Sequence, residues 1–311
     1  MLRTLLFFSM AAVPLLSAAD CDRACLKGAL DQYLNAVVRH DPSAANLLPG
    51  FRQTENAVAV RAGDGLWQSA IALGKLQRRY LDPASGQAGY FGLIEEKDRL
   101  AIVTLRLRVV DRKVSEAEWV IARKGDPGTN GPAAPGQASF FDPDNLIAHP
   151  PPDRILPAAE RLPREALIGI ANTYFDGFNT QDSTEVAEHP GCARIENGVT
   201  VTGRPVQDHP DAKSDCATGL TRFNVQYVAA RRFPVVDVET GVVLGTGVFI
   251  RKPGNMQRRN VLTEWFTIDH ERIRSIHAAM FYPPPEMAVP NWPPYAGNWP
   301  LPASLGSNPL P

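Results

Sequence analysis

The chain has 311 residues, 44% of them hydrophobic and 21% charged, which is too apolar and too weakly charged for a disordered polymer. That length holds one large or two ordinary domains. The 32 basic and 33 acidic side chains nearly cancel, and no basic run or stripe occurs, so the sequence argues against nucleic acid as a partner.

The chain begins Met1-Leu2-Arg3-Thr4, continues as an apolar run from Leu5 to Leu16, and reaches Ser17-Ala18-Ala19 before Asp20. A basic start, a short apolar core and small residues before a polar one form a secretory signal peptide over residues 1–19, with cleavage expected after Ala19. The alternative is an uncleaved N-terminal anchor. The run is shorter than the roughly 20 residues that span a bilayer, and no later stretch approaches that length. The reading is a protein without a membrane span, secreted or periplasmic.

Export gives the four cysteines a meaning. An even number in an oxidising compartment points to disulfides, with three connectivities open. Proximity in sequence favours Cys192–Cys216 and Cys21–Cys25. The second pair needs a non-helical start, because an i,i+4 pair on a regular helix strains disulfide geometry. The spacings do not match a zinc finger, and no histidine lies near Cys21 or Cys25. The cysteines therefore read as disulfides and not as a metal site, and neither a phosphate-binding loop nor a His-Glu-x-x-His motif occurs.

Self-similarity follows. Asp31-Gln32-Tyr33-Leu34 leading to Asp41 is answered by Asn172-Thr173-Tyr174-Phe175 leading to Asp182. At the same separation, Glu55-Asn56-Ala57-Val58 falls on Glu196-Asn197-Gly198-Val199. Glu118-Trp119 is read as answering Glu264-Trp265 after a small insertion. Two copies of one unit are expected, over residues 20–124 (the more degenerate copy) and 164–282.

Each copy starts with a helix. Leu26, Leu30, Tyr33, Leu34 and Val37 recur at helical spacing, as do Leu167, Ile170, Ala171, Tyr174 and Phe178. Strands are expected in copy one at Ala57–Arg61, Gly89–Glu95, Leu100–Val110 and Lys113–Arg123. Copy two offers Gly198–Thr202, Arg222–Val236, Gly241–Arg251, Asn260–Ile268 and Arg272–Tyr282. Copy one's last strand is not obvious; it hides in Gln137–Phe141 or is lost. Residues 125–163, dense in proline and glycine, read as a linker. Residues 283–311 read as a proline-rich tail with Trp292, Tyr295 and Trp299 interleaved, either packed on the protein's own surface or offered to a partner.

A helix bearing a tyrosine, an Asp-ended turn and a long antiparallel sheet resemble the NTF2-like superfamily, with its SnoaL-like members. Cys192-Ala193-Arg194-Ile195-Glu196-Asn197-Gly198 and the stretch from Arg231 to Leu244 resemble a secreted group of unknown function, DUF8021, as does Ile273–Ala278. The resemblance implies an α+β fold of two tandem cone-shaped units, each with helices packed in a curved antiparallel sheet. It also implies a small-molecule pocket, and a homodimer or an internal pseudo-dimer. Enzymes of the superfamily work by proton transfer inside the cone and need no cofactor.

Candidate site residues were sought on that basis. Tyr174 lies on the apolar stripe of its helix, and its buried hydroxyl needs a partner. Arg194 and Glu196 are two residues apart and share a strand face, where they either pair with each other or meet a ligand. Asn197-Gly198 is either a turn or part of the binding surface. His189, before Pro190, and His277, on the closing strand, are the candidate bases. Alternation alone does not say whether His277 faces the cone or a contact between sheets. Trp265 is a ligand platform or a core residue, and Glu264 faces the other way. Tyr174, His189 and His277 are thus the candidate catalytic residues, and Arg194, Glu196, Asn197 and Trp265 the candidate binding residues. The Asp208-His209-Pro210-Asp211 stretch was considered as a metal site and set aside, since adjacent residues rarely converge on one ion. The sequence leaves three functions open: a cofactor-independent lyase, isomerase or cyclase acting on an apolar or aromatic molecule, a secreted small-molecule binder, and a cell-surface interaction protein.

Overall fold

The structure is a computed structural model that describes residues 21–132, 134–135, 140–206, 209–218, 220 and 224–284. The expected leader and the tail from residue 285 lie outside the described residues, as do Gln137, Asp208 and Arg222.

Asp22 opens the first helix, α1 (Arg23–Val38), by accepting the Cys25 amide on its side chain. Cys21 precedes the helix, so the Cys21–Cys25 disulfide closes across a non-helical start with Cα atoms 5.1 Å apart. A 3-10 turn capped by Asp41 leads into β1 (Leu47–Glu55) and β2 (Val58–Val60). The short α2 (Leu66–Ser69) precedes β3 (Ala70–Asp82), β4 (Gln87–Glu96), β5 (Arg99–Val110) and β6 (Lys113–Arg123). Copy one's last strand is β6, which completes the sheet, and the strand that the sequence reading lacks is β3, ahead of β4. Its polar Arg78-Arg79 stretch hid it from a search for β-branched runs.

The connecting stretch carries α3 (Pro143–Ala148) and a 3-10 turn at Ala158–Glu160. Then α4 (Arg164–Thr180) repeats the part of α1 and is followed by a 3-10 turn capped by Asp182, as Asp41 caps the first. The second sheet comprises β7 (Glu188–Glu196), β8 (Val199–Thr200), β11 (Val225–Asp237), β12 (Val242–Arg251), β13 (Val261–Asp269) and β14 (Arg272–Phe281). A two-stranded ribbon, β9 (Pro205–Val206) and β10 (His209–Lys213), stands apart between β8 and β11.

The two large sheets have one topology. The first runs β2-β1-β6-β5-β4-β3 and the second, read from its other edge, β8-β7-β14-β13-β12-β11. In each, the first and last long strands pair in parallel (β1 with β6, β7 with β14) while the others are antiparallel. The ladders also correct one equivalence. Glu55 pairs with Trp119, and Glu196 pairs with Ala278, so Trp119 corresponds to Ala278. Glu264-Trp265 lies on β13, whose counterpart is β5. The Glu-Trp dipeptides therefore match by composition and not by position. The fold is also richer in strand than the expected α+β balance.

Four layers result. Helix α1 covers one face of the first sheet and α4 one face of the second, and the remaining faces pack on each other. Trp265 is the central knob of that contact. Its ring lies 4.6 Å from that of Tyr80, and its Nε1 donates to Thr104 Oγ1 at 3.0 Å. Gly89 makes room, since a Cβ there would come within 2.3 Å of the indole.

The rim of the contact is reciprocal. Arg23 of α1 donates to both oxygens of Asp237 at the end of β11, while Arg164 of α4 donates to Asp82 at the end of β3. Asp237 accepts the Leu81 amide at 2.9 Å, and Asp82 accepts the Val236 amide at 3.1 Å. Each unit thus gives the other the same group it receives, the pattern of a two-fold interface within one chain. Between the sheets, Glu118 joins Arg106 at 2.8 Å and Arg232 of the other unit at 2.6 Å.

Asp237→Ala leaves the Leu81 amide unpaired and removes the two bonds that Arg23 makes to Asp237, leaving Arg23 with Glu239 at 3.3 Å. We expect a loss of about 2–4 kcal/mol in urea unfolding, with a similar loss for Asp82→Ala. A loss near zero for both would show that the units hold together without these links.

Candidate functional site

On each long strand of the second sheet, alternate residues point toward α4. On β13 these are Leu262, Glu264 and Phe266; on β14 they are Ile276, Ala278 and Met280. Glu264 and Glu196 sit on the two strands flanking β14, both in register with Ala278. The small methyl group of Ala278 leaves the space between them open. A cavity of about 550 Å³ occupies that space. Its polar floor is Tyr174, Arg194, Glu196 and Glu264, and its walls include Phe140, Phe178, Phe249 and Tyr282. The connecting stretch closes one end through Gly128–Pro132.

The first unit shows how the same cone is filled. Trp119 stands where Ala278 does, and it is fully buried with its indole nitrogen 3.5 Å from Tyr33 Oη. Leu105, paired with Trp119, stands in the place of Glu264, and Tyr90, paired with Leu105, in that of Gly245. Gln53, in the place of Arg194, accepts from Tyr33 Oη and Trp67 Nε1, both at 2.8 Å. The Glu96–Arg123 ion pair at 2.6 Å ties two strand ends where the second unit has Arg251 and Tyr282.

Electrostatics on the cavity floor follow from burial. Arg194 Nη1 donates to Tyr174 Oη at 2.8 Å and to the Cys216 carbonyl at 2.9 Å, and its Nε lies 3.1 Å from Glu196. The Cys192–Cys216 disulfide holds that carbonyl in place. Burial opposes the charge on Arg194, but Tyr174, Glu196 and Glu264 more than offset it, and the guanidinium stays protonated. Burial raises the Tyr174 hydroxyl well above its usual range, so it remains a donor. Burial also raises Glu196, with Arg194 working against the shift. Glu264 is pushed up to about 8, first by burial and then by the charge of Glu196. Its Oε2 is buried and finds no hydrogen-bond partner among the described residues. Of the two buried glutamates, Glu264 is the one that holds its proton at neutral pH and Glu196 is the one in ion-pair contact with Arg194, and environments that differ in this way can separate an acid from a base.

Of the expected site residues, the structure brings Tyr174, Arg194 and Glu196 to the cavity. It places the other four elsewhere. His277 faces the first unit: its ring is near Phe91, its Nε2 lies 3.1 Å from the His149 carbonyl, and burial lowers its pKa to about 4. His189 meets the Asp269 carbonyl at 2.8 Å, away from the cavity lining. Trp265 belongs to the contact between sheets. The Asn197 amide is spent on both backbone groups of Met280, as that of Asn56 is on Ile121. Asn197 and Gly198 form the turn between β7 and β8 with positive φ at both (46° and 83°), and a Cβ on Gly198 would strike the Asp142 carbonyl.

Sequence reasoning passed over Glu264 as an acid and passed over Asn260 altogether. The available signal was a carboxylate in phase with Leu262 and Phe266 on an apolar strand face. Among the described residues, one group has ligand atoms close enough for a metal, Glu188 with Cys192 and Cys216, but both sulfurs are committed to the disulfide.

Comparison with known proteins followed from this geometry. Residues 160–280 match the model of a family described as "Domain of unknown function (DUF8021)". No curated protein matches the chain. Among solved structures, a protein of unknown function with a cystatin-like fold from Methylobium petroleophilum PM1 is similar at 14% identity. That match covers 44% of this chain and 99% of the other, with a TM-score of 0.29. An NTF2-like protein from Burkholderia xenovorans LB400 is similar at 14% identity over 38% of this chain and 91% of the other, with a TM-score of 0.26.

Because Glu264 binds its proton more tightly when folded, it destabilises the fold as pH rises. The native state holds the extra proton between the free glutamate value near 4.5 and the folded value of about 8, so stability falls across that window. Glu264→Gln should remove this slope and leave the protein more stable than the parent at pH 9 by on the order of a few kcal/mol. Parallel stability–pH curves for the two proteins would refute the assignment.

Proposed function

We propose that the second unit is a cofactor-independent acid–base catalyst, an isomerase, lyase or cyclase, acting on an apolar or aromatic small molecule. The observation that carries this reading is the buried Glu264 oxygen, unpartnered and lining the cavity beside the Glu196–Arg194 pair. A neutral carboxylic acid in an apolar wall can donate to a substrate carbonyl. Glu196 then takes the proton from the adjacent carbon. The C–H electron pair moves into the carbon–carbon bond, and the oxygen gains negative character held by Glu264 and the Tyr174 hydroxyl. Arg194 orients Tyr174 and works against the rise that burial gives Glu196, which favours the ionised form of that carboxylate. Return of the proton to a different carbon completes an isomerisation, and loss of a leaving group completes an elimination.

We infer as well that the protein works outside the cytoplasm. Two disulfides suit an oxidising compartment, and residues 1–19 read as an export leader. No helix among the described residues is long and apolar enough to cross a membrane.

Mass spectrometry of molecules retained by natively purified protein should identify a neutral, largely apolar compound. Proton exchange on that compound in D2O should depend on the enzyme and fall by about 10²-fold or more in Glu264→Gln. A smaller fall is expected in Tyr174→Phe. The alkaline limb of the rate profile should lie near pH 8, where Glu264 loses its proton. Retention of the compound with neither exchange nor turnover would make the protein a binder and end the catalytic reading.

A further inference from the structure

A second orphan atom lies on the same strand line as the acid. Asn260, immediately before β13, is 2% exposed and lines the cavity, and its Oδ1 has no hydrogen-bond partner among the described residues. Its amide nitrogen meets the sulfur of Met280 at 3.8 Å, a weak acceptor. Glu264, equally buried at 2%, leaves Oε2 in the same condition. Buried polar groups are nearly always paired, so two orphans facing one cavity call for an explanation.

Structure does not require them. The ladders put Ala101 where Asn260 stands and Leu105 where Glu264 stands, and both are buried in the filled first unit. The sheet is built equally well with apolar side chains at both places. The polar pair occurs in the unit that keeps its hollow.

The two atoms ask for opposite things. Glu264, holding its proton, offers a donor and needs an acceptor. Asn260 Oδ1 is an acceptor and needs a donor. Four residues of strand separate their Cα atoms by about 13 Å and both side chains stand on one face, so a ligand that bonds both must reach on the order of 10 Å along the strand. The carboxylate charge of Glu196 is already met by Arg194, and Arg251, the other arginine in the lining, donates to the Arg258 carbonyl and to Thr129 Oγ1, so the Glu196–Arg194 pair does not itself call for a charged ligand. Phe140, Phe178 and Phe249 supply the walls between the anchors.

We propose that Asn260 is a second anchor that reads a hydroxyl donor, so that the site takes a neutral two-ring aromatic ketone with its carbonyl at Glu264 and a hydroxyl at Asn260. This rests on the acid–base reading for the role of Glu264 and adds the substrate class and its specificity determinant. Sites built to bond a hydroxyl discriminate strongly against analogues that lack it, because the buried partner is then left unpaired.

The test uses 4-hydroxychalcone, 4-methoxychalcone and unsubstituted chalcone as probes, with isothermal titration calorimetry of the full chain at pH 7. The parent protein should bind the hydroxy compound at least tenfold more tightly than the other two. Asn260→Leu, close in shape but without polar atoms, should bring that ratio to about one and leave chalcone affinity within about twofold. Asn260→Ala serves as the second variant if the leucine variant does not fold. A parent ratio near one, a ratio that survives the substitution, or no binding of any chalcone would overturn the proposal. Discrimination by Asn260 without proton exchange would sustain this inference while ending the catalytic reading. Exchange on a retained compound without discrimination would do the reverse.

Discussion

The structure depends on two buried aspartates that cross from one sheet to the other. Asp82 and Asp237 each end a long strand, and each accepts a backbone amide and an arginine from the opposite unit. Carboxylates this deeply buried are stable only when their lone pairs are met, and here the other half of the chain meets them. Trp265 against Tyr80 and Thr104 fills part of the space between the two links. Neither unit could expose this face to water without hydrating the large apolar groups that the other unit covers.

Burying one face of each sheet leaves the other face to its helix. The two units then diverge through a handful of side chains. Trp119, Tyr90 and Leu105 turn the first cone into solid core, while Ala278, Gly245 and Glu264 at the matching places keep the second one hollow. The hollow is costly to stability, since it holds a neutral acid and an amide oxygen without partners. Proteins tolerate such violations of their own folding rules chiefly where a ligand will satisfy them.

The candidate site was legible in part. Tyr174, Arg194 and Glu196 could be found because they lie on a helix stripe and on one short strand next to a recognisable turn. His277 could not be placed, and the reason is physical. Both faces of β13 and β14 are buried, one under α4 and one under the other sheet, so their sequences lose the polar–apolar alternation that marks a solvent face. A histidine among buried neighbours then points either way with equal plausibility. Glu264 was hidden for the same reason, and the repeated Glu-Trp dipeptide drew attention to the tryptophan and to a false equivalence.

The sequence by itself determined the helix-then-sheet order in both halves and the helix faces, pointed to a turn ending in aspartate after each helix, and favoured the two disulfide pairs by proximity. These are local matters, fixed by side-chain period, capping and short loops along the chain. Tertiary structure alone decided which sheet face became an interface, which cone stayed open and which charges met. Those outcomes hang on residues more than 100 positions apart, such as Arg23 with Asp237 or Trp265 with Thr104. They also hang on the sizes of side chains that touch across the core, and no period along one strand records what the facing strand will bring.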